Sequence, residues 1–198
     1  MFYHKLKKIL FFSNNLDKLH EVQSLFDNTI IKILSPLNLN VTIEPKENGR
    51  TFEENAKKKS FFGYKKTKIA CFADDSGICI EALDWQPNIY SKKFLEKFKS
   101  KDDCLRYVIQ KVKKSGRERA YFQTSICYTS KENYHVIFNG RVDGTISKEI
   151  LGKHGFGYDP IFIPKGSKKT FGQLKIKEKN LISHRSIAVR KFVDFLSN

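Results

Sequence analysis

Along the chain, short unbroken apolar runs trade places with stretches in which apolar residues return every three or four positions. The run KILFF ends at a polar SNN and gives way to LDKLHEVQSLF, where Leu16, Leu19, Val22 and Phe26 share one helical face. That reads as strand, polar loop, helix. NVTIEP predicts a second strand, and KENGR a loop before the helix TFEENAKKKSFFGYKK, with Thr51 at its N-cap and Glu54 at the capping-box position. KIACFA predicts a third strand that breaks at an Asp-Asp-Ser-Gly turn and resumes as GICIEAL. KDDCLRYVIQKVKK puts Leu105, Val108, Ile109 and Val112 on one face of a helix, and RAYFQTSICYTS and YHVIFNGRVDGTIS alternate as antiparallel strands about the turn SKEN. LGKHGFGYDPIFIP, with three glycines in six residues and a proline after Asp159, excludes regular helix. A last helix, capped by Ser183, turns Ile187, Ala188, Phe192, Phe195 and Leu196 toward a core.

Strands and helices interleave and the strands run both ways, so the expected class is mixed α/β (α+β), a mixed sheet flanked by helices. No Pro/Gly/Ser-rich linker divides the 198 residues, which are expected to form one domain, residues 1–198, with room for two lobes. No segment approaches membrane-spanning length, and the apolar run near the N-terminus is too short for a secretory signal. The four cysteines form no C-x-x-C pair, which argues against a zinc site or a disulfide framework and points to a reducing cytoplasm.

Charge changes the picture most: 37 basic against 21 acidic residues give +16. A nucleic-acid-binding protein is the reading this invites. Yet only seven of the basic residues are Arg, the residue that base readout leans on, and the lysines are scattered without a dominant tract. A solvated lysine surface that also favours a small polyanionic substrate fits better, with no specific nucleic acid and no membrane as partner.

Against that background, adjacent carboxylates demand an explanation. Asp74 and Asp75 repel each other beside a buried strand, so a cation is needed to offset them, and Mg²⁺ with its preference for carboxylate and phosphate oxygens suits a sparse acidic site. In strand geometry the two acids face opposite sides, one toward an ion and one in support. Three more polar clusters stand where loops meet strands or helices. Ser13, Asn14 and Asn15, with Lys18 one turn into the helix, form a candidate phosphate cradle, although such caps are more often structural. HGFGYDP offers close backbone approach at its glycines and a ring, Phe156 or Tyr158, to stack on a base, while EKNLISHR supplies Lys179, His184 and Arg185 as donors.

SNNLDKLHEV, TFEENAKKK, FADDSGICIEAL, GFGYDPIF and EKNLISHR occur in the order and approximate spacing of the Ham1-like family, the inosine/xanthosine triphosphate pyrophosphatases, which the chain resembles from about Lys8 to Phe195. The resemblance implies a Mg²⁺-dependent diphosphohydrolase that cleaves dITP, ITP and XTP to monophosphate and pyrophosphate and so cleanses the nucleotide pool. It implies a long twisted sheet with two lobes around a central substrate cleft, and a homodimer. Residue by residue, it assigns Ser13, Asn14, Asn15, Lys18 and Lys59 to the phosphates, and Asp75 to general base and metal ligand with Asp74 beside it. Glu47 becomes a further metal-associated acid and Ser76 a substrate contact. Phe156, Gly157, Tyr158, Asp159, Lys179, His184 and Arg185 form the base-recognition wall. A nucleoside triphosphatase of different base preference is the alternative within the class. Three departures stand out: Asn88 where a glycine is usual, Lys93 for an arginine, and Gln173 for a glutamate.

Overall fold

The structure is a computed structural model that describes residues 7–27 and 29–197. Strand β1 (Lys7–Phe11) leads into helix α1 (Leu16–Phe26), whose start is capped by Asn15, its Oδ1 accepting from Lys18 N at 3.0 Å. Strand β2 is Ile31–Leu34 and lies parallel to β1, Ile33 opposite Ile9. This corrects the expected strand at NVTIEP, which has no ladder partner and runs as irregular chain; the four-residue IKIL is too short for alternation to betray it. Helix α2 (Phe52–Thr67) starts where expected, Thr51 Oγ1 accepting from Glu54 N at 3.1 Å, a cap worth about 1 kcal/mol. Glu54 does not close the reciprocal box on Thr51; its Oε2 accepts from Arg50 N instead.

Strand β3 is the main departure from expectation. Cys71–Ile80 is one continuous ten-residue strand, with no turn at Asp-Asp-Ser-Gly. Burial explains the continuity, for apolar neighbours bury both faces of β3, and a turn there would strand peptide groups away from water. Strand β4 (Gln86–Pro87) pairs antiparallel with its end. Helices α3 (Ser91–Leu95) and α4 (Lys101–Ser115) follow, the latter capped by Ser100 and closed by Gly116 in the left-handed region at φ 69°. Strands β5 (Arg119–Lys131) and β6 (Tyr134–Ile146) are neighbours in the sheet, and β7 (Phe162–Pro164) pairs antiparallel with β6. Helix α5 (Ile176–Ile182), which the sequence pattern did not single out, precedes α6 (His184–Ser197). Ser183 ends the one and serves the other, its Oγ accepting from Ser186 N at 3.1 Å.

The strand order β2-β1-β3-β5-β6-β7, with parallel and antiparallel pairs, makes the sheet mixed, as expected. The chain divides into two compact units. The first takes the chain up to Asp75, Ser125–Asn139 and the chain from Ala188 on; the second takes Ser76–Thr124 and Gly140–Ile187. The core of the first packs Phe11, Phe26, Phe72 and Phe192 against Ile9 and Val22, with the Phe11 and Phe72 rings stacked at 4.9 Å. That of the second gathers Ile78, Leu105, Phe122, Phe162 and Phe171. Strand β3 passes from one unit to the other at the Asp75–Ser76 bond.

Candidate active site

In the first unit, β1, α1, the loop before α2, α2 and β3 bring five charged groups and their polar supports together. Ser13 follows β1, its Oγ accepting from Asn15 N at 3.3 Å, so the SNN bend is organised before α1 begins. Lys18, one turn into α1, reaches across to the fully buried Asp74 carboxylate at 3.0 Å. Asn14 is exposed. On α2, the buried Lys59 ammonium sits 2.6 Å from Glu47 Oε1 and 3.9 Å from Asp75 Oδ1, between two carboxylates. Burial alone would lower the Lys59 pKa, but Asp75, Asp74 and Glu47 outweigh it and hold it above 10.5. For Asp75 the balance goes the other way: burial prevails over the attraction of Lys59 and Lys18 and lifts its pKa above 3.8. For Glu47 burial pulls upward, but Lys59, by charge and by hydrogen bond, and Lys18 together outweigh it and hold the pKa below 4.5.

Asn55 is the residue sequence reasoning missed. Its Nδ2 donates to Asp75 Oδ2 at 2.9 Å while its Oδ1 accepts from Gly49 N at 2.8 Å. The backbone amide of the Glu47 loop therefore fixes which way the Asn55 amide points, and Asn55 fixes Asp75. The only signal in the sequence is an Asn inside a predicted helix, where its propensity is poor; its burial is seen only in the fold.

The second unit assembles the other predicted residues. Ser76 Oγ accepts from Arg185 Nη2 at 3.2 Å. Asp159 Oδ2 accepts from Lys179 Nζ at 2.6 Å, both side chains buried, and from Phe156 N at 2.8 Å. Phe156, flanked by Gly155 at φ 70° and Gly157 at φ 59°, presents its ring to Lys179 at 5.0 Å and to Arg185 at 5.6 Å. His184 stacks on Phe122, ring centroids 4.6 Å apart and 9° from parallel. Tyr158 corrects the expectation of a stacking ring. It is buried in the core, and its hydroxyl donates to Ser91 O at 3.0 Å. Of the two rings, Phe156 is the half-buried one.

The departures fit the fold. Asn88 adopts φ 53°, a conformation Asn tolerates better than most residues, so the loop keeps its turn without glycine. Its carbonyl accepts from Ser91 Oγ at 2.6 Å, and Ser91 Oγ accepts from Ile78 N. Gln173 Oε1 accepts from Thr170 N at 3.0 Å, a cap that an amide makes as well as a carboxylate. Lys93 lies over the Tyr90 ring at 5.8 Å.

The donor set fits a hard divalent cation of modest protein ligation. Among the described residues no three metal-ligating side chains cluster, but the ammonium of Lys59 already marks a place where Glu47 and Asp75 together hold positive charge. Two carboxylates completed by waters and substrate phosphates are what Mg²⁺ accepts.

Comparison with known proteins identifies the family. The Ham1 family model matches residues 9–195. A dITP/XTP pyrophosphatase of Leptospira interrogans is 39% identical over 186 residues, covering 93% of this chain and 94% of that protein. One of Flavobacterium psychrophilum is 36% identical, covering 96% and 100%. A solved HAM1 protein structure from Coxiella burnetii superposes with TM-score 0.86 at 33% identity, over 96% of this chain and 98% of that one. Matched nearly end to end by family model, relatives and structure, the chain belongs to the Ham1 family.

Proposed function

We propose that the chain hydrolyses non-standard purine nucleoside triphosphates, dITP and XTP foremost, to the monophosphate and pyrophosphate, and so keeps them from the nucleotide pool. The observation that carries the proposal is the buried Asp75 of the first unit, 3.9 Å from the Lys59 ammonium and held by Asn55; the second unit carries its own set of aromatic and cationic groups around Phe156. The first set suits phosphates, the second a flat base rich in acceptors. Relatives at 36–39% identity named dITP/XTP pyrophosphatases support the same reaction.

The roles follow from the chemistry of each group. Ser13, Asn14, Asn15, Lys18 and Lys59 bind the triphosphate. Asp75 orients the attacking water and takes its proton as it attacks the α-phosphorus; a carboxylate whose pKa is raised by burial is a better base than one in water. Asn55 holds Asp75 in place, and Asp74 tethers Lys18. Lys18 and Lys59 stabilise the charge that collects on the leaving pyrophosphate. Glu47 and Asp75 would hold Mg²⁺, which when bound supplies charge neutralisation at the phosphates. Phe156 stacks on the base, with Gly157 and the backbone of Tyr158 letting it approach and the Asp159–Lys179 pair setting the loop. Ser76, His184 and Arg185 supply the polar contacts. A 6-keto oxygen accepts from such donors, whereas adenine's 6-amino group leaves them unpaired.

The compartment is proposed as cytoplasmic: all four cysteines are free and buried, and no helix of the described residues is long and apolar enough to cross a membrane. The working form is proposed as a homodimer on the strength of the family. A panel of nucleoside triphosphates with Mg²⁺, scored for pyrophosphate and for phosphate, tests the function. Pyrophosphate release from dITP and XTP should exceed that from dATP by about a hundredfold or more. Equal rates across the purines, or release of single phosphate, would refute it.

A further inference from the structure

Behind the donors of the base wall stands a hydroxyl that no motif assigned. Thr124 on β5 is fully buried, and its Oγ1 lies 2.5 Å from Ser76 Oγ. Ser76 Oγ in turn accepts from Arg185 Nη2. Two residues earlier on the same face of β5, Phe122 carries the His184 ring. One face of one strand thus backs Ser76, Arg185 and His184.

A buried strand position of this size is more cheaply filled by valine. Threonine adds a hydroxyl whose desolvation needs a partner, so its hydrogen bond calls for a reason beyond packing. A serine hydroxyl has one proton and two lone pairs. With Arg185 donating into one lone pair, the bond to Thr124 gives the hydroxyl a second, buried partner that narrows its orientation. Arg185 is 1% exposed, so protein partners rather than water set the direction of its guanidinium.

We propose that Thr124 is a positioning residue for base discrimination: by locking the Ser76 hydroxyl it aims Arg185 at a keto acceptor on the substrate base. The inference rests on the function proposed above. It has an asymmetric consequence. A keto purine gains from well-aimed donors and loses when they wander, whereas an amino purine, never satisfied by them, loses little.

The test is kcat/KM for dITP and for dATP, with Mg²⁺, in the wild type, Thr124→Val and Thr124→Ser. The valine variant should lose about tenfold on dITP and less than about twofold on dATP, so that the preference falls about tenfold, and the serine variant should restore it. The ratio is informative because partial unfolding would lower both rates alike. Should Thr124→Val fail to fold, Thr124→Cys supplies the same comparison, since a thiol is a weak partner of similar size. Equal losses on both substrates, or an unchanged preference in a folded variant, would overturn the role of Thr124 alone. A wild type without preference for dITP would overturn the function and this inference together.

Discussion

At the residue scale the account turns on Asp75. Its pKa is raised above 3.8 by burial, which means the folded chain binds that proton more tightly than the unfolded one. The sign then fixes the stability: relative to the unfolded chain, the fold weakens as pH climbs from the ordinary aspartate range through the raised value, and at pH 7 the charge of Asp75 is a net burden. Asp75→Asn should therefore lose about a thousandfold in kcat while melting at the same temperature as the wild type or higher. Retained turnover would take the proton transfer away from Asp75, and a large fall in Tm would show that its charge supports the fold. Of the candidate residues, the paired aspartates and Lys18 stand out in the sequence by their place beside strands, whereas Lys59 and Glu47 are singled out only by the family resemblance. Asn55, which orients Asp75 from α2, was not legible, because an uncharged amide in a lysine-rich helix looks like surface until its two hydrogen bonds are seen. Tyr158 misled in the opposite sense: sequence marks an aromatic ring but not which way it turns.

At the element scale, one carboxylate links the loop that carries Phe156 to helix α5. Asp159 Oδ2 accepts from both Phe156 N and Lys179 Nζ, and a methyl group on Gly155 would collide with it. With φ 70° as well, Gly155→Ala is expected to cost about 1–2 kcal/mol of stability. It should raise KM for dITP about tenfold with a smaller effect on kcat, as measured by steady-state kinetics. An unaltered KM would detach this loop from the base. Helices α1, α2 and α4 were readable to within a residue or two because period and caps agreed. Two readings failed for lack of local signal. β2 is a four-residue strand defined by its ladder with β1, and β3 runs through Asp-Asp-Ser-Gly because its neighbours bury it on both sides.

For the molecule as a whole, a charge of +16 on a chain that handles a tetraanionic substrate should show in the encounter rate. The value of kcat/KM for dITP is expected to fall several-fold as salt rises from tens to hundreds of millimolar, mostly through KM. A salt-independent value would mean that the lysine surface does nothing for substrate capture. The sequence made the mixed class of the fold plain, since interleaved periods leave few alternatives. The strand order and the division into two units depend on pairings far apart in the chain, which no local pattern encodes. The reaction itself is tested most directly by following the oxygen of the attacking water. When dITP is hydrolysed in water enriched in heavy oxygen, the account predicts one labelled oxygen in dIMP and none in the pyrophosphate released with it. Label in pyrophosphate, or in free phosphate, would place the attack at another phosphorus and contradict the role given to Asp75.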